Sequence, residues 1–320
     1  MGQGSSGTPK SGRRGSGVPQ IAPVTICGDL SLSFAEHKQP VLCCGFSADE
    51  KLLVTGSADT KVIVWSLSNA KPIAKLVGHS NDVTGCAFIG SVAVVTTSKD
   101  GCALVWQCKT WSVSKRYSNH ESSVLACAVS HDQQHIATGS EDKTAHVWAS
   151  ERHSGPPGSL LRGHTGPVVD VCFSPDDVAV GTCSSDCTIR LWNRRSGRMI
   201  TELKDPLGPC SVAYSPDGIY LCVASNDSMV RIWNVNSEEV VNSLGGHSDH
   251  VTGCDFNSSG TVMASCSKDT HGRLWNPRSV GGKAVKVLAG HTAEILACTF
   301  SPSGQYLATV SKDNTCRVWK

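Results

Sequence analysis

The stretch GHTGPVVDVCFSPDDVAVGTCSSDCTIRLW, residues 163–192, decides the fold. It opens on Gly163-His164, runs through β-branched residues to Phe173, and turns at Ser174-Pro175-Asp176-Asp177. A second apolar run ends at Ser184, a tight turn follows at Asp186, and a third run closes on Trp192. Apolar runs of this length, bounded by Pro, Asp and Ser, read as three short strands. One such unit cannot cover its own faces, so other parts of the chain must supply the missing surface.

The rest of the chain supplies it by repetition. Trp65, Trp106, Trp148, Trp192, Trp233, Trp275 and Trp319 lie 41, 42, 44, 41, 42 and 44 residues apart. Six residues before each stands an Asp: Asp59, Asp100, Asp142, Asp186, Asp227, Asp269 and Asp313. Two before each Asp stands a Ser: Ser57, Ser98, Ser140, Ser184, Ser225, Ser267 and Ser311. Upstream of the Asp by 21 or 22 come His37, His79, His120, His164, His247 and His291, with Asp205 in the one vacant slot. An apolar or aromatic residue follows nine positions after every slot, from Phe46 to Phe300. Seven copies in one register make a repeat array, which overrides the expectation of about two domains for a chain of 320 residues.

Composition narrows the function. The net charge is +2, and three of the cations, Lys10, Arg13 and Arg14, fall in residues 1–23, which carry no acid. The remainder is near neutral and lacks the basic footprint of a nucleic-acid binder. No apolar run of about 18 residues and no signal segment is seen, so a soluble, cytoplasmic protein is expected. Of the sixteen cysteines, Cys44, Cys86, Cys127, Cys254 and Cys298 share one repeat position, and Cys183 and Cys266 share another. Equivalent positions in different repeats are too far apart to pair, and neither CxxC nor zinc-finger spacing occurs. These thiols read as small core hydrophobes in a reducing compartment, with no metal site and no cofactor.

Residues 1–23 are Gly, Ser, Pro and basic, and read as a disordered leader before a repeat domain at 24–320. Gly2 with Ser6 fits an N-myristoylation pattern, and the three cations would add a weak second membrane signal. From Val24 to Phe34 comes a strand-like piece. In every other repeat the segment before the His slot is a fourth strand, and the last repeat has only three before Lys320. Residues 28–34 are therefore expected to pair with 315–319, closing the array into a ring and removing its open edges.

The recurring Asp, Ser, His and Trp are expected to form a buried hydrogen-bonded set in each unit, Asp to His, His to Ser, and Ser facing the indole N–H. Seven copies argue for scaffold and against a Ser-His-Asp catalytic site, which would be unique. Asp205 cannot join Asp227 in such a set and is expected to point to solvent, with a looser loop around it.

These residues resemble the WD-repeat β-propellers over residues 24–320. The resemblance implies an all-β fold, a seven-bladed propeller of four-stranded antiparallel blades around a channel. The Trp residues depart from the family in lacking a following Asp; Asn193, Asn234 and Asn276 come nearest. The resemblance also places partner binding on the narrow face, at three positions per blade. Here these are Pro40, Leu42 and Ala58; Asp82, Thr84 and Lys99; Ser123, Leu125 and Glu141; Pro167, Val169 and Ser185; Gly208, Cys210 and Asn226; His250, Thr252 and Lys268; and Glu294, Leu296 and Lys312.

None of these is aromatic, which disfavours a cage for methylated Lys or Arg. The expectation is that Lys268, Lys312 and Lys99 grip an acidic or phosphorylated segment, with His250 adding pH sensitivity. Trp111, outside the Trp register, is a second candidate anchor for a partner.

The function read from all this is a non-catalytic protein–protein interaction scaffold, a monomeric propeller within larger complexes, membrane-associated only through an acylated Gly2. A narrower alternative is a substrate receptor of a cullin-type ubiquitin ligase, for which the family pattern ends Trp-Asp-x-Arg. Arg195 and Arg278 keep the Arg, but Asn193 and Asn276 replace the acid. An enzyme would need a cluster of activated groups at the channel mouth, and Asp82, Glu141, Glu294 and His250 fall on different blades.

Overall fold

The computed structural model describes residues 1–2, 29–150, 158–279 and 282–320. Residues 3–28, and with them Ser6, Lys10, Arg13, Arg14 and most of the leader, lie outside the described residues. The described chain forms seven four-stranded antiparallel sheets. Blade 1 comprises Val41–Phe46, Leu52–Ser57, Lys61–Ser66 and Pro72–Val77, hydrogen-bonded in that order, and blades 2 to 6 repeat it.

Burial explains why each strand has its composition. The second strands lie between neighbouring blades and are covered on both faces, while third strands such as Thr188–Asn193 alternate buried and half-buried positions. Ala93–Ser98 and His135–Ser140 are buried at every position, so apolar runs replace alternation there. The fourth strands, such as Pro72–Val77, bury one side only and carry Lys and Glu on the rim. Packing between blades, for instance Val54, Val64 and Leu76 against Val83, Phe88 and Trp106, forms the core.

The first strands ring a channel of about 660 Å³, lined by residues of all seven blades. Every first strand shifts register against the second at one equivalent place, between Val41 and Cys43 in blade 1 and between Ile295 and Ala297 in blade 7. A bulge repeated seven times bends the inner strands near the channel mouth.

Closure follows the sequence expectation. Leu30–Phe34 pairs with Cys316–Trp319, completing blade 7 beside Leu307–Ser311 and Ile295–Phe300. Phe34 is buried, and its ring lies 5.2 Å from that of Trp65, so this strand also packs on blade 1. The fifteen described cysteines are free. Burial pushes thiols such as Cys86 and Cys183 well up, which keeps them protonated and poor as nucleophiles or metal ligands. No helix among the described residues is long and apolar enough to cross a membrane.

Candidate interaction face and the polar framework beneath it

Each blade hangs its face-forming turns on a buried polar chain. In six blades the His Nδ1 lies 2.7–3.0 Å from the Asp carboxylate. His Nε2 lies 2.8–2.9 Å from a hydroxyl, and the indole N–H reaches the same hydroxyl at 2.8–2.9 Å. An indole can only donate, so that oxygen accepts from Trp. The ionised Asp can only accept, so it takes the Nδ1–H, and Nε2 is left to accept a hydrogen bond from the hydroxyl. The imidazole proton therefore sits on Nδ1 and points at Asp. Burial lowers the pKa of all six histidines despite their Asp partners, which favours this neutral form. Burial would raise the Asp pKa, but hydrogen bonds from backbone N–H groups and from His, and for Asp186 first from the Thr188 hydroxyl, outweigh it and hold Asp59, Asp100 and Asp186 below the usual range.

The hydroxyl is not the one expected. It belongs to Thr55, Thr96, Thr138, Thr182, Ser265 and Thr309, each two residues before the Ser of the repeat. Side chains alternate faces along a strand, and a step of two keeps the Thr on the Ser face but one pair further from the turn. The repeat Ser instead ties the turn itself. Ser57 donates to the Gln39 carbonyl and accepts from the Asp59 N–H, and Ser98, Ser140, Ser184, Ser267 and Ser311 do likewise.

Blade 5 corrects a second expectation. Asp205 is fully buried and does not face solvent. Arg231 bridges the two carboxylates, 3.1 Å from Asp205 and in closer contact with Asp227. Its register equivalents Arg190, Arg273 and Arg317 lie beside the Gly that precedes His in blades 4, 6 and 7. With no His to occupy the site, Arg231 enters it. Val223 replaces the Thr, and the buried indole N–H of Trp233 is left without a partner.

At the mouth, the three lysines differ. Lys99 pairs with Asp82 at 2.9 Å and Lys312 with Glu294 at 2.8 Å, each within its own blade. Lys268 lies 3.2 Å from His250 Nδ1 and has no ion-pair partner among the described residues. The nearby Asp249 carboxylate accepts the His250 N–H. Thr84 and Thr252 hydroxyls donate to Val124 and Ile295 carbonyls of the next blades, at 2.7 Å each, and so act as stitches between blades. Cys210 contacts Asn226 at 3.0 Å. Trp111 sits in a left-handed turn and packs half-buried against the blade 1–2 core. Gly2 is exposed.

Two channel carboxylates were missed in the sequence. Asp170 of blade 4 accepts the Val212 N–H of blade 5 at 3.0 Å. Asp255 of blade 6 accepts the Phe300 N–H and the Thr299 hydroxyl of blade 7. Burial pushes both pKa values up to about 6 against those hydrogen bonds. The available signal was an acid at two repeat positions, six and eight after the His slot, that hold only small uncharged residues (Gly, Ala, Cys, Ser or Thr) in the other repeats.

The repeated Trp–hydroxyl–His–Asp chain on a closed ring of seven blades agrees with comparison to known sequences. Residues 24–276 match the model of the IFT122 first beta-propeller, and 282–320 match the WD domain, G-beta repeat. The chain belongs to the WD-repeat propellers. Human apoptotic protease-activating factor 1 is 33% identical over 52% of this chain, which spans 13% of that protein. The nuclear distribution protein nudF of Aspergillus terreus is 30% identical over 51% of this chain and 31% of its own length. A tobacco guanine nucleotide-binding protein subunit beta is 25% identical over 77% of this chain and 71% of its own.

WD-repeat propellers are generally non-enzymatic protein-interaction scaffolds. Where this chain has Asn193, Asn234 and Asn276 after the repeat Trp, each amide oxygen accepts N–H groups of the following turn, as a carboxylate there would.

Proposed function

We propose that this WD-repeat propeller is a non-catalytic scaffold that holds an anionic segment of a partner protein at the blade 5–6 sector of its narrow face. The observation that carries the reading is the charge state of the three mouth lysines. Lys99 and Lys312 are paired with carboxylates within their blades, whereas Lys268 lies against the His250 ring and has no carboxylate partner among the described residues. The expected three-lysine grip thus reduces to one cation, flanked by the polar, uncharged Asn226 and Cys210 of blade 5. A rigid framework beneath such a group favours binding, because little ordering entropy is lost on contact.

The test is an array of phosphoserine- and glutamate-containing peptides probed with the whole chain. Lys268→Glu should reduce capture at least tenfold, while Lys99→Glu leaves it within twofold. Equal capture by wild type and Lys268→Glu would remove the reading.

A further inference from the structure

At the end of the propeller opposite the His–Asp turns, neighbouring blades are joined differently at different junctions. Each first-to-second-strand turn there has a residue in the left-handed region. At the blade 3–4 junction it is Asp177, φ +56°, whose carboxylate crosses to the His131 and Asp132 N–H groups at 2.8 and 2.7 Å. Arg194, two residues after Trp192, donates to the Asp177 carbonyl and lies against the His135 ring, 2.6 Å away. Glu50 straps blade 1 to Ser303 of blade 7 in a similar way.

The same three register positions at the blade 5–6 junction are Gly260, Pro277 and Tyr220. Gly260, φ +65°, has no side chain to cross the gap, and Pro277 cannot reach over it as Arg194 does. The result is a groove of about 620 Å³. Its floor is apolar, with buried Ile232 and Phe256. Ile219 and Val241 stand on its walls, 38% and 52% exposed, and extend the apolar floor to the surface.

One charge at the groove is free. Arg278 is exposed and has no ion-pair partner among the described residues. The single carboxylate on the other wall, Asp217, is engaged by the Ser215 hydroxyl and the Ile219 N–H.

We propose that this groove is a second docking site, for a peptide segment of a partner in which apolar side chains stand next to a carboxylate. The apolar residues fill the space that Asp177 and Arg194 fill between blades 3 and 4, and the carboxylate pairs with Arg278. The site is separate from Lys268, which lies at the other end of the blades, so the two can be occupied together.

The experiment is panning of a random octapeptide display library on the whole chain, with Lys268→Glu, Arg278→Glu and Pro277→Arg variants as parallel baits. Thermal melts confirm that each bait is folded; Arg278 is exposed, and Arg is the natural residue at the position equivalent to Pro277 in blade 4. Wild type and Lys268→Glu should enrich sequences with two apolar residues beside Asp or Glu. Arg278→Glu and Pro277→Arg should lower that enrichment at least tenfold, the first by reversing charge and the second by filling the groove. Absence of such sequences on wild type, or their retention on both Arg278→Glu and Pro277→Arg, overturns the proposal. Loss on Lys268→Glu alone assigns the acidic sequences to the narrow face and equally overturns it.

Discussion

A single hydroxyl decides whether two buried polar groups in a blade are satisfied. In blade 4, Thr182 Oγ accepts from Trp192 and serves His164 Nε2, both at 2.8 Å, and Thr182 is fully buried. Thr182→Val keeps the shape and strands both groups, so stability should fall by about 2–4 kcal/mol in urea titration. Ser184→Ala removes turn bonds beside a part-exposed Asp, and about 1 kcal/mol is expected. Blade 5 carries the stranded form naturally in Val223 and Trp233. Val223→Thr should therefore stabilise the protein, by about 1 kcal/mol. A loss of stability in that variant would mean the orphan indole N–H is not a liability.

The misreading of this hydroxyl has a physical origin. Ser57, Ser184 and their equivalents recur more strictly than the Thr, which is replaced by Ser265 and Val223, so recurrence alone points to the Ser. Spacing along a strand tells which face a residue shares, but not which of two neighbours on that face the indole meets. The His, Asp and Trp of the chain were legible because nothing else in a strand keeps such residues in fixed register.

Blade 5 shows how an element tolerates a broken rule. A carboxylate in the His slot would leave two acids in one buried pocket, and the sequence alone suggested that one of them turns outward. Arg231 belongs to the third strand, and its role depends on a rotamer choice that spacing does not report. Its guanidinium enters the cavity left by the missing imidazole, and a planar fork can serve two carboxylates at once. Arg231→Leu should leave Asp205 buried and unpaired at a cost of about 3–5 kcal/mol. Adding Asp205→His and Val223→Thr to the otherwise native Arg231 chain rebuilds the polar set of blades 4 and 6, and should retain wild-type stability at pH 7.5. Guanidinium titrations of both variants check the pair. A mild effect of Arg231→Leu would show that the Asp205 carboxylate is satisfied by groups other than Arg231.

Across the whole molecule, the ring makes local protonation a global matter, because every blade is buried against two others and the strand Leu30–Phe34 ties the last to the first. Two sets of groups act in opposite directions. The six tetrad histidines have pKa values lowered by burial, so on acidification the unfolded chain takes up protons near its ordinary value of about 6.5 before the folded one does. Their contribution is complete above that pH and falls as pH drops through it. Asp170 and Asp255 have pKa values raised to about 6, so between pH 6 and about 4 the folded protein binds protons that the unfolded chain does not. Their stabilising contribution is full below the ordinary carboxylate value and is lost as pH rises through 6. The two acids thus blunt the acid sensitivity that the histidines impose. Replacing both, Asp170→Asn with Asp255→Asn, weakens the blade 4–5 and 6–7 links at every pH, but it also removes the compensating term. Stability should then fall more steeply between pH 7 and pH 5 than in wild type, by an extra amount on the order of 2 kcal/mol in urea midpoints. Parallel profiles for the two proteins would mean that both carboxylates stay ionised inside the channel and that the backbone N–H groups of Val212 and Phe300 overcome their burial.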